Sequence, residues 1–480
     1  MLKLFISFAA LFSFTVLMGQ VQPKKALETS AQIDQYLMEV LGKYNIPGIA
    51  VAVIKNDKII HRNNYGKANI ELNVAISEKS IFRLYSLTKP IIATGAFQLI
   101  EQNKLSLEDA ISKYLHNLPT AWNSVQVKHL LTHSSGLPDI VNYEQLPENE
   151  AREKVFADAI QFEKGEKFDY NQTNFWLLQK IIEIISKQNI TAFITENQFS
   201  QTADKNVFFS TDSRDIIPNR VTQYSNFATG KLQIEVPNNG SYLSSCNGLN
   251  MTMDALIQWD SKFNNNKLIS AKSKEKMLEL FPYTKSDSKF TFGWDENVIN
   301  GHKAYGFSGG RRTAYRIFPK DNLSILFLAN GIGSDVNVDN IVNHIAHFVD
   351  NDIIDYSFTA YETLLKSAQE NVSGLKNTFV SLKKDPKYSN VNFEEHLNTI
   401  GYILLNQDKK VTEALVVFNL NAQEYPKSIN VFDSLAEAYE ANNDVKNAVD
   451  NYTKSMELNT NPDYLARVSK KIKELKIISK

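Results

Sequence analysis

Residues 82–89 read FRLYSLTK and run directly into 90–100, PIIATGAFQLI, whose apolar patterning predicts a helix. Pro90 falls in what would be the first helical turn, where a missing N–H costs little, so Ser86 is expected near the helix N-terminus with its N–H facing a cleft. Ser86 and Lys89 are three residues apart, a spacing that puts hydroxyl and ammonium on one helix face. A serine hydroxyl is a weak nucleophile at neutral pH and needs an adjacent base. A lysine serves only where burial and neighbouring charges lower its pKa. The pair therefore points to nucleophilic catalysis, although S-x-x-K alone also arises by chance on solvated helices.

A second element lies at 168–175, FDYNQTNF, where Tyr170 stands in a loop before another amphipathic stretch, 177–185. Together with IPGIAVAVIKNDKII (46–60), KLSLEDAISKYL (104–115), HLLTHSSGLPD (129–139) and YGFSGG (305–310), these elements resemble the class C β-lactamase and D-alanyl-D-alanine carboxypeptidase family of serine hydrolases, over residues 30–350. The resemblance implies an α+β fold: a β-lactamase/transpeptidase-like antiparallel sheet with flanking helices and a helical insert. It also implies an acyl-enzyme on Ser86, with Lys89 as proton acceptor and Tyr170, first residue of the family's Tyr-x-Asn motif, relaying the proton to the leaving atom. The oxyanion would be held by the N–H groups of Ser86 and of Gly310, which follows Ser308 and Gly309 in the strand motif. Such donors are typically worth ~2.7 to 4 kcal/mol each in an acyl-transfer transition state.

Two positions depart from the family pattern. Gln172 replaces the asparagine of Tyr-x-Asn, a longer amide that still donates and accepts but from a displaced position, with Asn171 as a neighbouring substitute. Phe307 stands where the family carries a lysine or histidine, so a charge or hydrogen bond is lost there, and Arg311 and Arg312 are the nearest cations in sequence.

The rest of the chain is consistent with an exported globular protein. At 480 residues it exceeds a single core. Its 52 basic and 53 acidic residues are mixed along the chain, which gives no field favouring nucleic acid or anionic lipid, and a small-molecule or peptide substrate is expected. Residues 1–19 have Lys3 followed by an apolar run, the layout of a cleavable signal peptide, implying a secreted or periplasmic protein whose mature chain has no membrane span. Cys246 is the only cysteine, so no internal disulfide forms; a lone cysteine is usually a small buried residue. His129 and His133 have helical i, i+4 spacing without the acidic partner of a metalloprotease motif, His344 and His347 lie on a helix near the domain end, and no Gly-rich phosphate loop follows a strand. No metal or cofactor is expected.

The patterns at 49–54 (IAVAVI) and 323–329 (LSILFLA) predict strands, the first in a hairpin turning at Asn56-Asp57 and the second after a turn at 319–322. The two chain ends are expected to share one sheet. Helices are expected at 26–41 and 341–349. The hydrolase domain is placed at 20–351, a helical connector at 352–391 and an all-α region at 392–480. There Ile400, Gly401, Ala414 and Phe418 recur as Leu435, Ala436, Ala448 and Tyr452, a period of 34 or 35 residues that resembles the tetratricopeptide family. Such repeats usually bind a protein partner; a rigid helical cap is the plainer alternative.

These readings lead to a serine hydrolase cleaving a small ester, amide or peptide through Ser86. One alternative is a catalytically silent peptide- or cell-wall-binding protein using the cleft and repeats for recognition. Another is a true β-lactamase or D-alanyl-D-alanine carboxypeptidase.

Overall fold

The computed structural model describes residues 24–199, 206–226, 231–332 and 337–478. Helix α1 (Lys24–Tyr44) leads into a hairpin of β1 (Gly48–Lys55) and β2 (Lys58–Asn69). Its two-residue turn holds Asn56 and Asp57 at φ 51° and 60°, the left-handed pair that matches strand twist and that asparagine and aspartate tolerate. After the short strands β3 (Val74–Ala75) and β4 (Phe82–Arg83) the chain enters the insert. This carries α2 (Thr88–Glu101), α3 (Val127–Leu131), α4 (Glu148–Ala157), α5 (Gln172–Ser186) and α6 (Ile190–Gln198). It continues through β5 (Val207–Phe209), β6 (Tyr224–Ser225), β7 (Gln233–Ile234), α7 (Ser244–Asn247), β8 (Leu249–Met251), α8 (Met253–Asn264) and α9 (Ala271–Met277). The chain returns as β9 (Asp295–Ile299), β10 (His302–Gly309), β11 (Thr313–Phe318) and β12 (Leu323–Ala329), and α10 (Val338–Val349) closes the unit.

The two ends of the domain meet in a seven-stranded antiparallel sheet of order β3-β2-β1-β12-β11-β10-β9, with Ile49 opposite Ala329 and Lys55 opposite Leu323. Strand side chains alternate between faces. Ala50, Ala52, Leu326 and Leu328 enter a core shared with Ile91 and Phe97 of α2 and Phe175 of α5. Ile49, Val51, Val53, Ile325 and Phe327 enter a second core with Ile33 and Leu37 of α1 and Ile341 and Ile345 of α10. Both faces are covered, and that is why 49–54 reads as an unbroken apolar run and not as alternation. Each such valine, leucine, isoleucine or phenylalanine contributes about 1.5–3 kcal/mol relative to exposure. On the insert side, β8 pairs with both β4 and β5, putting Met251 opposite Phe82 and Val207 and anchoring the chain four residues before the serine.

Beyond the sheet the chain is helical: α11 (Tyr356–Glu370), α12 (Leu375–Lys384), α13 (Phe393–Tyr402), α14 (Val411–Glu424), α15 (Ile429–Ala441), α16 (Val445–Glu457) and α17 (Pro462–Ile478). A π-helical turn at Ile403–Gln407 extends α13. A Cβ on Gly401 would come within 2.5 Å of the Phe418 ring, so α13 and α14 touch at a glycine, and Ala436 and Tyr452 lie in one core across α15 and α16. These helices have cores of their own. Ile353, just past the expected boundary at 351, is buried with α1 and α10, whereas the tail reaches the sheet domain through contacts such as Lys43–Glu362, an exposed 2.7 Å ion pair worth about 0–1 kcal/mol. No helix among the described residues is long and apolar enough to cross a membrane, and residues 1–19 lie outside them.

A chain truncated after Ile354 should therefore keep the sheet domain folded and retain hydrolysis within about threefold of the full chain. Circular dichroism with an ester assay checks this, and a folded but inactive truncation would mean that the tail walls the cleft.

Candidate active site

Ser86 does not lie inside the long helix. It occupies a 3-10 turn, Tyr85–Leu87, that runs straight into α2, and Tyr85 before it is left-handed at φ 50°. The hydroxyl thereby stands at the helix entrance, while Lys89, one turn on, is completely buried. Tyr170, in the loop before α5, donates from its hydroxyl to Ser86 Oγ at 2.8 Å.

The lysine departs from expectation. Its ammonium donates to Gln172 Oε1 at 2.8 Å and to the Cys246 carbonyl at 2.9 Å, and it sits 4.7 Å from the centroid of the Tyr170 ring. The group hydrogen-bonded to Ser86 Oγ is thus Tyr170. A buried ammonium takes the strongest acceptors within reach, here an amide oxygen and a backbone carbonyl. Gln172 consequently meets Lys89 in spite of its extra methylene. Asn171 does not substitute for it: its side chain caps α5 by accepting from Asn174 N at 3.1 Å and donates to the Leu137 carbonyl at 2.9 Å. Cys246 is buried, its thiol is pushed up to about 11 by burial, and it donates to the Gln172 carbonyl at 3.3 Å, which removes it from consideration as a nucleophile.

Strand β10 closes the other side. A Cβ on Gly309 would lie 2.1 Å from the Leu84 carbonyl oxygen and 3.0 Å from Leu87 N, so only glycine lets this strand touch the turn that carries Ser86. Thr313 Oγ1 donates to the same Leu84 carbonyl at 2.8 Å. Gly310 lies one residue past β10, at φ 54°. The Gly309 carbonyl accepts Arg312 N at 2.9 Å, and in a trans peptide the Gly310 N–H points the opposite way. Ser86, Tyr170, Ser308 and Gly310 all line one cavity of about 570 Å³.

Phe307, Phe168 and Phe290 supply its apolar walls. The Phe307 ring lies 6.2 Å from that of Tyr170 and 6.0 Å from that of Phe290, so the side chain in the altered strand position is built into an aromatic cluster. Of the two arginines, Arg311 lines the cavity. Arg312 is 4% exposed and points away, donating to the Gly310 carbonyl at 3.0 Å and the Tyr224 carbonyl at 3.0 Å and pairing with Glu235.

Two supporting residues stand behind the site: Asp139, which the reading of the sequence did not single out, and His133, which it set aside as a metal ligand. Asp139 Oδ1 accepts from Gln172 N at 2.9 Å and Val141 N at 3.1 Å, fastening the 129–139 stretch to the loop of Tyr170; burial pushes this carboxyl above the usual range. Its place at a turn start was a readable signal, but its partner 33 positions away was not. His133 is fully buried, 4.5 Å from the Tyr170 ring, and its Nδ1 accepts from Asn171 N at 3.3 Å and faces Asn174 Nδ2 at 3.1 Å. With Nδ1 accepting, the neutral ring carries its proton on Nε2. His129 is likewise occupied, Nδ1 accepting from Gln126 N at 3.1 Å.

A serine hydroxyl, a tyrosine hydroxyl bonded to it and a buried lysine beneath a strand-edge glycine form an arrangement suited to acyl transfer. The family model described as Beta-lactamase matches residues 33–347. The chain belongs to the Beta-lactamase family of serine hydrolases. Among curated proteins, this Beta-lactamase family member is 27% identical over 192 residues to Protein flp of Staphylococcus aureus (strain MW2), covering 38% of this chain and 39% of that one. It is 27% identical over 303 residues to Penicillin-binding protein 4* of Bacillus subtilis (strain 168), covering 58% and 66%. The match thus spans well under half of Protein flp. Among solved structures, the octameric penicillin-binding protein homologue from Pyrococcus abyssi superposes with a TM-score of 0.60 at 20% identity, over 70% of this chain and 81% of that one. The D-amino acid amidase from Ochrobactrum anthropi SV3 does so with 0.58 at 18%, over 68% and 99%. At such identities these two likenesses speak to the fold.

Burial and the nearby Lys89 charge hold the His133 imidazole well below its ordinary value, so it stays neutral in the folded chain where the unfolded chain takes up a proton. Stability from this group is complete above pH 6.5 and is lost as pH falls below it, at up to about 1.36 kcal/mol per pH unit. The melting temperature should fall between pH 6.5 and pH 4.5, and less steeply in His133→Gln. Equal slopes in the two proteins would exclude His133 as a source.

Proposed function

We propose that this protein hydrolyses a small neutral ester, amide or peptide through an acyl-enzyme on Ser86. The observation that carries the reading is the 2.8 Å hydrogen bond between Tyr170 and Ser86 Oγ, beside the buried ammonium of Lys89. In this reading Ser86 Oγ bonds to the acyl carbon and its proton passes to the Tyr170 oxygen as the tyrosine's own proton goes to the leaving atom. Water repeats the relay in reverse to release the acid. Lys89, packed on the Tyr170 ring and hydrogen-bonded to Gln172, supports the tyrosine, and the N–H groups of Ser86 and Gly310 receive the oxyanion. Positions 1–19 are proposed to direct export to a secreted or periplasmic location, and the helical tail from residue 392 to form tetratricopeptide-like repeats that bind a protein partner.

The presence of all three reactive groups favours an enzyme over a silent binding protein. Substitution of Ser86 by Ala should remove nearly all turnover without unfolding, because a small hydroxyl is deleted from a half-exposed site. Lys89→Ala and Tyr170→Phe should each cost orders of magnitude, and the double variant little more than either, since groups acting as a unit are not additive. Ester turnover in Ser86→Ala within tenfold of wild type would exclude the assignment.

Phe307 argues for a neutral acyl group over a penicillin or cephalosporin. Those drugs carry a carboxylate, and at position 307 an aromatic ring within a phenylalanine cluster offers it no donor, so any cationic contact must come from Arg311 or Lys289 elsewhere in the lining. A hydrogen bond to a charged group is worth roughly 1.5 to 3 kcal/mol, so its absence lowers kcat/KM about tenfold to a hundredfold. A p-nitrophenyl ester should be cleaved in preference to a chromogenic cephalosporin, and Phe307→His should shift the ratio toward the cephalosporin. A wild type that already prefers the cephalosporin would favour the β-lactamase alternative.

A further inference from the structure

Two buried cations lie over the ring of the residue before the nucleophile. Arg83 lies 4.8 Å and Arg312 5.5 Å from the Tyr85 ring centroid, and both arginines are buried, at 3% and 4% exposure. Each guanidinium is fixed by its own hydrogen bonds. Arg83 donates to Asn247 Oδ1 at 2.7 Å, Asn239 Oδ1 at 2.8 Å and the Asn247 carbonyl at 3.0 Å. Arg312 holds the Gly310 and Tyr224 carbonyls and Glu235. The Tyr85 hydroxyl donates to Gln223 Oε1 at 2.6 Å. The same ring abuts the other half of the site, since a Cβ on Gly310 would lie 2.7 Å from it.

Tyr85, Gly310 and Arg311 are all left-handed, with φ of 50°, 54° and 55°. Two of the three are not glycine, and such backbone persists only where its surroundings over-determine it. The stack provides that determination. Tyr85 precedes Ser86, and its ring props Gly310 while Arg312 grips the Gly310 carbonyl, so one cation–aromatic–cation unit is joined to both peptides that face the oxyanion. It also places two buried positive charges behind the hole, of which Glu235 offsets one.

We propose that Arg312 is a positioning residue for the oxyanion hole, acting through the Gly310 carbonyl and the Tyr85 ring to fix the separation of the Ser86 and Gly310 N–H groups. The inference rests on the acyl-enzyme reading of Ser86. Removing an oxyanion donor outright typically costs 10²–10³ in kcat. Loosening one should cost about tenfold to a hundredfold, in kcat and not in KM, because the oxyanion exists only in the transition state.

The test uses the full chain and its Arg312→Met, Arg312→Lys, Tyr85→Phe and Tyr85→Leu variants, assayed on a p-nitrophenyl ester and for the rate of Ser86 labelling by a fluorophosphonate, whose adduct is tetrahedral. Arg312→Met and Tyr85→Leu should lose about tenfold or more in kcat with KM within about threefold, and labelling should slow in parallel. Arg312→Lys should recover part of the loss, and Tyr85→Phe, which keeps the ring, should stay within about threefold of wild type. If Arg312→Met does not fold by circular dichroism, Arg312→Lys and Tyr85→Leu decide the matter by the same split. A folded Arg312→Met or Tyr85→Leu variant with wild-type kcat, or one altered in KM alone, overturns the inference while Ser86 labelling in the wild type leaves the hydrolase reading standing. A wild type that is not labelled at Ser86 overturns both.

Discussion

An ammonium group with no exposure to solvent is the constraint around which the site is arranged. Removing a lysine charge from water costs several kcal/mol even after relaxation, and the cost is met only by well-placed acceptors. Lys89 finds the Gln172 amide, the Cys246 carbonyl and the faces of Tyr170 and Phe175, contributed by α5, the loop before it and α7. Two segments distant in sequence, 170–175 and the turn around Cys246, must therefore converge on one atom of α2. Once they do, Tyr170 has nowhere to stand except beside Ser86.

The buried charge also shapes its neighbours' ionisation. His133, in the layer behind Tyr170, is kept neutral by burial and by Lys89, and Asp139 ties its own stretch to the Tyr170 loop by accepting from Gln172 N. Neither touches the cavity. They fix the loop whose one exposed duty is to present a tyrosine hydroxyl. The phenylalanines that line the cavity extend this apolar layer outward, which is why position 307 fits an aromatic ring so readily.

Much of this was legible in the chain. The hairpin at Asn56-Asp57, the sharing of one sheet by 49–54 and 323–329, and the helices flanking Ser86 and Tyr170 follow from periodicity and turn chemistry, which are local. The choice of partners was not legible. Lys89 was expected on Ser86 and went to Gln172 and Cys246. Arg312, one of two cations next in sequence to the altered strand position, is buried and turned inward to Glu235 and two carbonyls. A long cationic side chain reaches several acceptors, and burial, which no local pattern reveals, decides among them. The tail, by contrast, was readable as helices from its amphipathic patterning and its breaks, and helices from α11 to α17 fill it.

The pairing of β1 with β12 has a consequence for how the molecule comes into being. Ile49 waits for Ala329, so an inner strand of the sheet lacks one neighbour until almost the whole catalytic unit has been synthesised. Contacts between residues so far apart close slowly, and an apolar strand with an open edge invites the wrong partner in the interval. The helices after Tyr356 face no such delay, because each packs on helices close to it in sequence and can order as it appears. The two halves of the chain thus mature on different clocks, and the half that carries Ser86 runs late.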